Sequence, residues 1–153
     1  MAYKILVDKN VEIIEQQEYK SETSAAKNIK KPLSDNVQDE LLNNILAVME
    51  DKTIILDQKF SIDILAGLVS YNHNYVSEII HSTFKKNFRS FLNDYRIREA
   101  QRLLPDFDDE KYTIESIATL VGFKSKNTFF EAFKNVTGVT PGFYLKSIKK
   151  KNS

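Results

Sequence analysis

The chain has no cysteine and no tryptophan in 153 residues. Without cysteine there is no disulfide framework, no thiolate nucleophile and no thiolate metal site. With only two histidines, His73 and His81, spaced too widely for an i, i+4 ligand pair, no metal and no other cofactor is expected. The acidic run at 106–110 lacks the glycine and spacing of a calcium loop. No paired-carboxylate, Ser/His/Asp or phosphate-loop pattern stands out, so an enzyme is not expected. No apolar run nears the ~18 residues that mark a membrane helix, and no charged-then-apolar leader opens the chain, so a cytoplasmic location is the default expectation. Glycine (4) and proline (3) are scarce.

What the chain does have is apolar residues at helical spacing. Hydrophobic residues make up 42%, with 10 phenylalanines, enough for a packed core. The net charge of +1 hides an asymmetry. Residues 1–59 hold 8 basic and 11 acidic residues, whereas residues 60–153 hold 14 and 10, including all four arginines. The second part therefore suits an anionic partner without demanding one.

An all-α fold is expected. Tyr3, Leu6, Val7, Val11 and Ile14 suggest a short N-terminal helix, followed by a polar linker to residue 34. Ser34 or Asp35 can cap a lead-in helix with Val37, Leu41, Ile45 and Val48 on one face. The stretch KTIILDQKF, 52–60, reads as extended. Ser61 and Asn72 can cap two short helices, and a long helix is expected over about 88–104 before Pro105. Thr113 and Ser125 cap the next pair, Thr140-Pro141 opens a last helix, and residues 148–153 form a basic tail.

One phrase is written twice. LAGLVSYN (65–72) and IATLVGFKS (117–125) share Ala-x-Leu-Val, a small residue and an aromatic. Ala66 and Ala118 let two helices approach, and Leu68, Val69, Leu120 and Val121 are expected to flank the contact. Ser70 and Gly122 fall where a left-handed residue is needed. This is helix-turn-helix grammar, in units at about 61–84 and 113–137. A joining helix of ~17 residues spans about 26 Å. That is the right order for placing two recognition helices about one duplex turn, roughly 34 Å, apart.

The stretches YRIREAQRLL (95–104), IATLVGF (117–123), FFEAFK (129–134) and TGVTPGFY (137–144) resemble the C-terminal DNA-binding domain of the AraC/XylS transcription regulators, over about residues 60–147. The resemblance implies seven helices, two helix-turn-helix units on a rigid linker helix, and a regulator that binds double-stranded DNA and contacts RNA polymerase. Residues 1–34 hold no ligand-binding domain of the family's usual size. The expectation is thus the tail of a longer regulator, with a sensor domain or dimer partner elsewhere.

The family's base-reading positions map onto Asn74, Ser77 and Glu78 in the first unit and Lys126, Asn127 and Glu131 in the second. Asparagine can bond adenine bidentately, lysine can reach guanine, and a carboxylate can accept from cytosine N4. Glu78 and Glu131 depart from the family, which often has arginine there, and an intramolecular role suits them better. Lys85, Lys86, Arg89, Lys124, Lys134 and Lys146, with Lys149 and Lys150, are candidate phosphate contacts. Arg96, Arg98 and Arg102 are expected to pair with Glu99 or Asp94 or to pack against the units. The competing reading is a helical protein-interaction module with weak or no DNA binding. Two glutamates on the recognition helices favour it; the duplicated architecture favours DNA.

Overall fold

The computed structural model describes residues 32–106, 108 and 111–151. The expected N-terminal helix lies outside them. The described residues form eight α-helices and no strand. They are α1 (Asp35–Met49), α2 (Lys52–Ile55), α3 (Ile62–Val69), α4 (His73–Phe84), α5 (Phe88–Leu103), α6 (Ile114–Leu120), α7 (Lys126–Thr137) and α8 (Pro141–Lys151). A 3-10 turn, Leu104–Asp106, ends α5 at Pro105.

Local chemistry sets most of the boundaries. Asp51, Ser61, Asn72, Asn87, Thr113 and Ser125 each accept a backbone N–H from the first turn of the helix they precede. Thr113 and Ser116 form a reciprocal capping box. Ser34 occupies the cap position of α1 through its backbone carbonyl, without a side-chain bond.

Two cores result. Leu41, Ile45, Val48 and Met49 of α1 pack with Leu65, Ala66 and Val69 of α3 and Val76, Ile79 and Ile80 of α4. The lead-in helix is thus part of the first unit, and each fully buried Leu, Ile or Met contributes about 1.5–3 kcal/mol. The second core joins Ile117, Ala118, Val121, Phe123, Phe129 and Phe133 to Leu145 of α8. Its aromatic rings run Phe123–Phe129–Phe133–Tyr144 at centroid spacings of 5.3, 5.6 and 5.5 Å. Helix α5 serves both cores: Phe91 and Leu92 enter the first, Ile97 and Ala100 the second.

Four expectations are corrected. Residues 52–55 are helical, not extended, because Asp51 caps them and Ile55 is buried in the first core. Leu120 is not a core residue: it is 58% exposed, since the inward arc of α6 is taken by Ile117, Ala118 and Val121. The spacing of Phe129, Phe133 and Val136 on α7 predicts one shared inward face, but Val136 is 41% exposed. The segment read as a basic tail begins inside α8, whose last turn carries Lys149, Lys150 and Lys151.

Candidate nucleic-acid interface

The repeated phrase builds the same turn twice. In the first unit Tyr71 N–H donates to Ala66 O (3.0 Å) and Ser70 N–H to Gly67 O (3.2 Å). In the second, Phe123 N–H donates to Ala118 O (2.9 Å) and Gly122 N–H to Thr119 O (3.1 Å). Both are Schellman closures, with Ser70 at φ 59° and Gly122 at φ 89°. The second copy has one more residue before its next cap, and that residue is Lys124.

Gly122 is needed for space as well as conformation. A Cβ there would lie 2.7 Å from the Leu56 carbonyl oxygen and 2.9 Å from the Arg96 guanidinium. Arg96 is 7% exposed and lies on α5 between the units. Its Nε donates to Ile55 O and its Nη2 to Asp57 O, each at 2.7 Å. Its guanidinium carbon is 5.9 Å from the Phe123 ring centroid. Gln58 Nε2 donates to Phe123 O at 3.1 Å. One buried guanidinium therefore ties the α2–α3 loop of the first unit to the turn of the second. Burial pushes Arg96 down to about 10, with Asp57 opposing, so it remains charged near neutral pH.

The other linker arginines stay outside. Arg102 donates to Glu99 through Nε (2.9 Å) and Nη2 (2.6 Å), and Lys52 of α2 reaches the same carboxylate at 2.8 Å. These bonds, that from Arg102 foremost, hold the Glu99 carboxyl below its ordinary range against the effect of burial. Arg98 lies over the Tyr95 ring. Asp94 pairs with Lys86, not with an arginine.

Asn74, Glu78, Lys126, Asn127 and Glu131 are exposed on α4 and α7, and Ser77 is half-buried. The backbone N–H of Asn74 donates to the Asn72 side chain at 2.8 Å, the cap of α4. Lys126, the first residue of α7, pairs with Glu115 of α6 and lies 5.6 Å from the Phe130 ring centroid. Glu78 is engaged by a neighbouring group. Glu131 forms no ion pair with a described residue.

The candidate phosphate contacts Lys85, Lys86, Arg89, Lys124, Lys134 and Lys146 are all exposed. Arg89 of the joining helix and Lys124 of the second turn line one cleft with Ser61, Asn93 and Thr128. Lys85 and Lys86 line a second, polar groove on α5 with Asn93, Arg98 and Asn135. Lys85 Nζ also donates to Ser82 O. Arg89, Lys124, Lys134 and Lys146 form no ion pair with a described residue. The two histidines do not converge on a metal site, and among the described residues no metal-binding cluster of His, Asp and Glu occurs.

With this geometry in place, comparison with known proteins decides the family. A family profile described as "Helix-turn-helix domain" matches residues 65–147. The chain belongs to the AraC-type helix-turn-helix family of DNA-binding transcription regulators. It is 26% identical over 102 residues to the uncharacterized HTH-type transcriptional regulator YtdP of Bacillus subtilis, covering 67% of this chain and 12% of that protein. The chain thus spans about an eighth of the length of that relative. An AraC-type DNA-binding-domain protein from Chromobacterium violaceum superposes with a TM-score of 0.61 at 18% identity, over 74% of this chain and 96% of the other. The DNA-binding domain of AdpA, solved with a target DNA, gives 0.55 at 20% identity, over 74% and 94%. An AraC-type domain with these neighbours does not favour the interaction-module reading. No described helix is long and apolar enough to cross a membrane.

Packing of a linker arginine against the units was expected; its Ile55 and Asp57 carbonyl partners and the Glu115–Lys126 pair escaped the sequence reading.

Proposed function

We propose that this domain binds specific duplex DNA by placing the N-terminal ends of α4 and α7 in successive major grooves. The observation that carries this reading is the Arg96 clamp, which fixes the two units against each other through Ile55, Asp57 and the Gly122 turn. Two independent readers would lose rotational freedom on binding together; a locked pair does not. Asn74 and Ser77, then Lys126 and Asn127, read base edges. Glu78 and Glu131 serve as cytosine acceptors or intramolecular partners. Lys85, Lys86, Arg89, Lys124, Lys134 and Lys146 anchor the phosphates, with Arg89 of the joining helix and Lys124 of the second turn in one cleft. In the whole protein the domain acts in the cytoplasm beside a sensor domain or a second copy and contacts RNA polymerase. Its family membership and the resemblance of 60–147 to the AraC/XylS regulators support that wider role.

A salt titration tests it. Six neutralised phosphates give a slope of log K against log salt of about −5. An affinity for duplex DNA that stays flat from low to physiological salt removes the charge-anchored complex.

A further inference from the structure

The two units share a carboxylate contact across the turn as well as the turn itself. Asp63, the second residue of α3, lies 3.1 Å from Nδ1 of His73, the first residue of α4. Glu115, the second residue of α6, pairs with Nζ of Lys126, the first residue of α7. Asp63 and Glu115 occupy matching positions of the repeat, as do His73 and Lys126 once the extra residue Lys124 is counted. Each carboxylate thus reaches across the turn to the first side chain of a recognition helix.

All four side chains are at least half exposed: 75% and 54% for the first pair, 53% and 51% for the second. Charged contacts this exposed add little to stability. Their placement has another effect. The first residue of a recognition helix lies next to both base edges and phosphates, so a free cation there attracts any duplex, whatever its sequence. A carboxylate on the preceding helix neutralises that cation in place. Lys126 is further held along the Phe130 ring, which directs its ammonium toward Glu115.

We propose that Glu115 is a specificity-determining positioning residue. It holds the Lys126 ammonium away from indiscriminate phosphate contact, and yields it only where a matching base edge competes for it. The cation then adds little to binding of random DNA and contributes at the cognate site. This rests on the DNA-binding reading above.

The test uses the 153-residue chain on a random-sequence duplex and on its selected site. Glu115→Gln keeps the shape and removes the charge. Freeing Lys126 should steepen the salt slope on random duplex by about 0.9, so that the affinity lost between about 50 and 200 mM salt grows about three- to fourfold. The ratio of specific to random affinity should fall, while the thermal midpoint stays at the wild-type value. In a Lys126→Gln background, Glu115→Gln should leave the slope unchanged. An effect that persists in that background means that Glu115 merely repels phosphate, and the proposal is overturned. So it is if Glu115→Gln changes neither slope nor ratio while the wild-type chain binds with its normal salt dependence. A wild-type chain that binds no duplex removes the DNA reading itself.

Discussion

Replacing Gly122 by alanine should be far more damaging than the same change at Gly138, although both glycines have positive φ, 89° and 81°. At Gly138 nothing lies within 4 Å of an added Cβ. Only the backbone cost of a left-handed residue applies there, about 1–2 kcal/mol. At Gly122 the Cβ would meet the Leu56 carbonyl at 2.7 Å and Arg96 at 2.9 Å. The Leu56 oxygen is backbone and cannot swing aside, and Arg96 is held by two carbonyls. An overpacking cost of about 1–3 kcal/mol therefore adds to the backbone cost, for a total of about 2–5 kcal/mol. Against a typical domain stability of about 5–15 kcal/mol, that is a large share. Urea unfolding followed by circular dichroism measures both variants, and duplex affinity of the still-folded fraction shows whether the units have lost their relation. Equal losses for Gly122→Ala and Gly138→Ala would refute the close approach of the second turn to the α2–α3 loop.

Arg96→Met should cost about 2–4 kcal/mol in urea unfolding, because the Ile55 and Asp57 carbonyls lose their donor; Arg96→Lys should not restore it, since one ammonium cannot reproduce the planar fork. Glu99 has a folded pKa below its unfolded value of about 4.3. Its contribution is therefore present above about pH 4.3 and lost as pH falls through the folded value. A stability–pH curve for Glu99→Gln should accordingly be flatter than wild type on the acid side, and an unchanged acid limb would exclude the Lys52–Glu99–Arg102 network as a contributor. Asn74→Ala and Asn127→Ala should each lose about 1–3 kcal/mol on the selected site and much less on random duplex. Lys134→Ala should weaken both alike and reduce the salt slope by about 1, so competition binding that shows equal losses for the asparagines removes them as base readers.

The duplicated turn was legible because its requirements are local: a small residue for helix contact, a left-handed residue at the close and a capping side chain after it. Most caps were legible for the same reason. The short α2 was not, since four helical residues show no periodicity and Ile55 is fixed by tertiary packing. Leu120 and Val136 were misplaced because seven- and twelve-residue helices leave the width of their inward arc to their neighbours. Helix α5 misled differently. Serving two cores, it has no single apolar stripe, so spacing could not tell that Arg96 packs between the units while Arg102 pairs with Glu99. The exposed candidate residues could be placed on their helices from sequence, but the cross-turn pairs of His73 and Lys126 required the geometry of the turn.

Selection from random duplex DNA, followed by competition with single-base variants of the winner, tests most directly that two locked units read DNA together. The account predicts two short sensitive tracts centred about 10 base pairs apart, separated by positions where substitution has little effect. Changes within either tract should cost about 1–3 kcal/mol each. A single sensitive tract, or no enriched sequence at all, would contradict it.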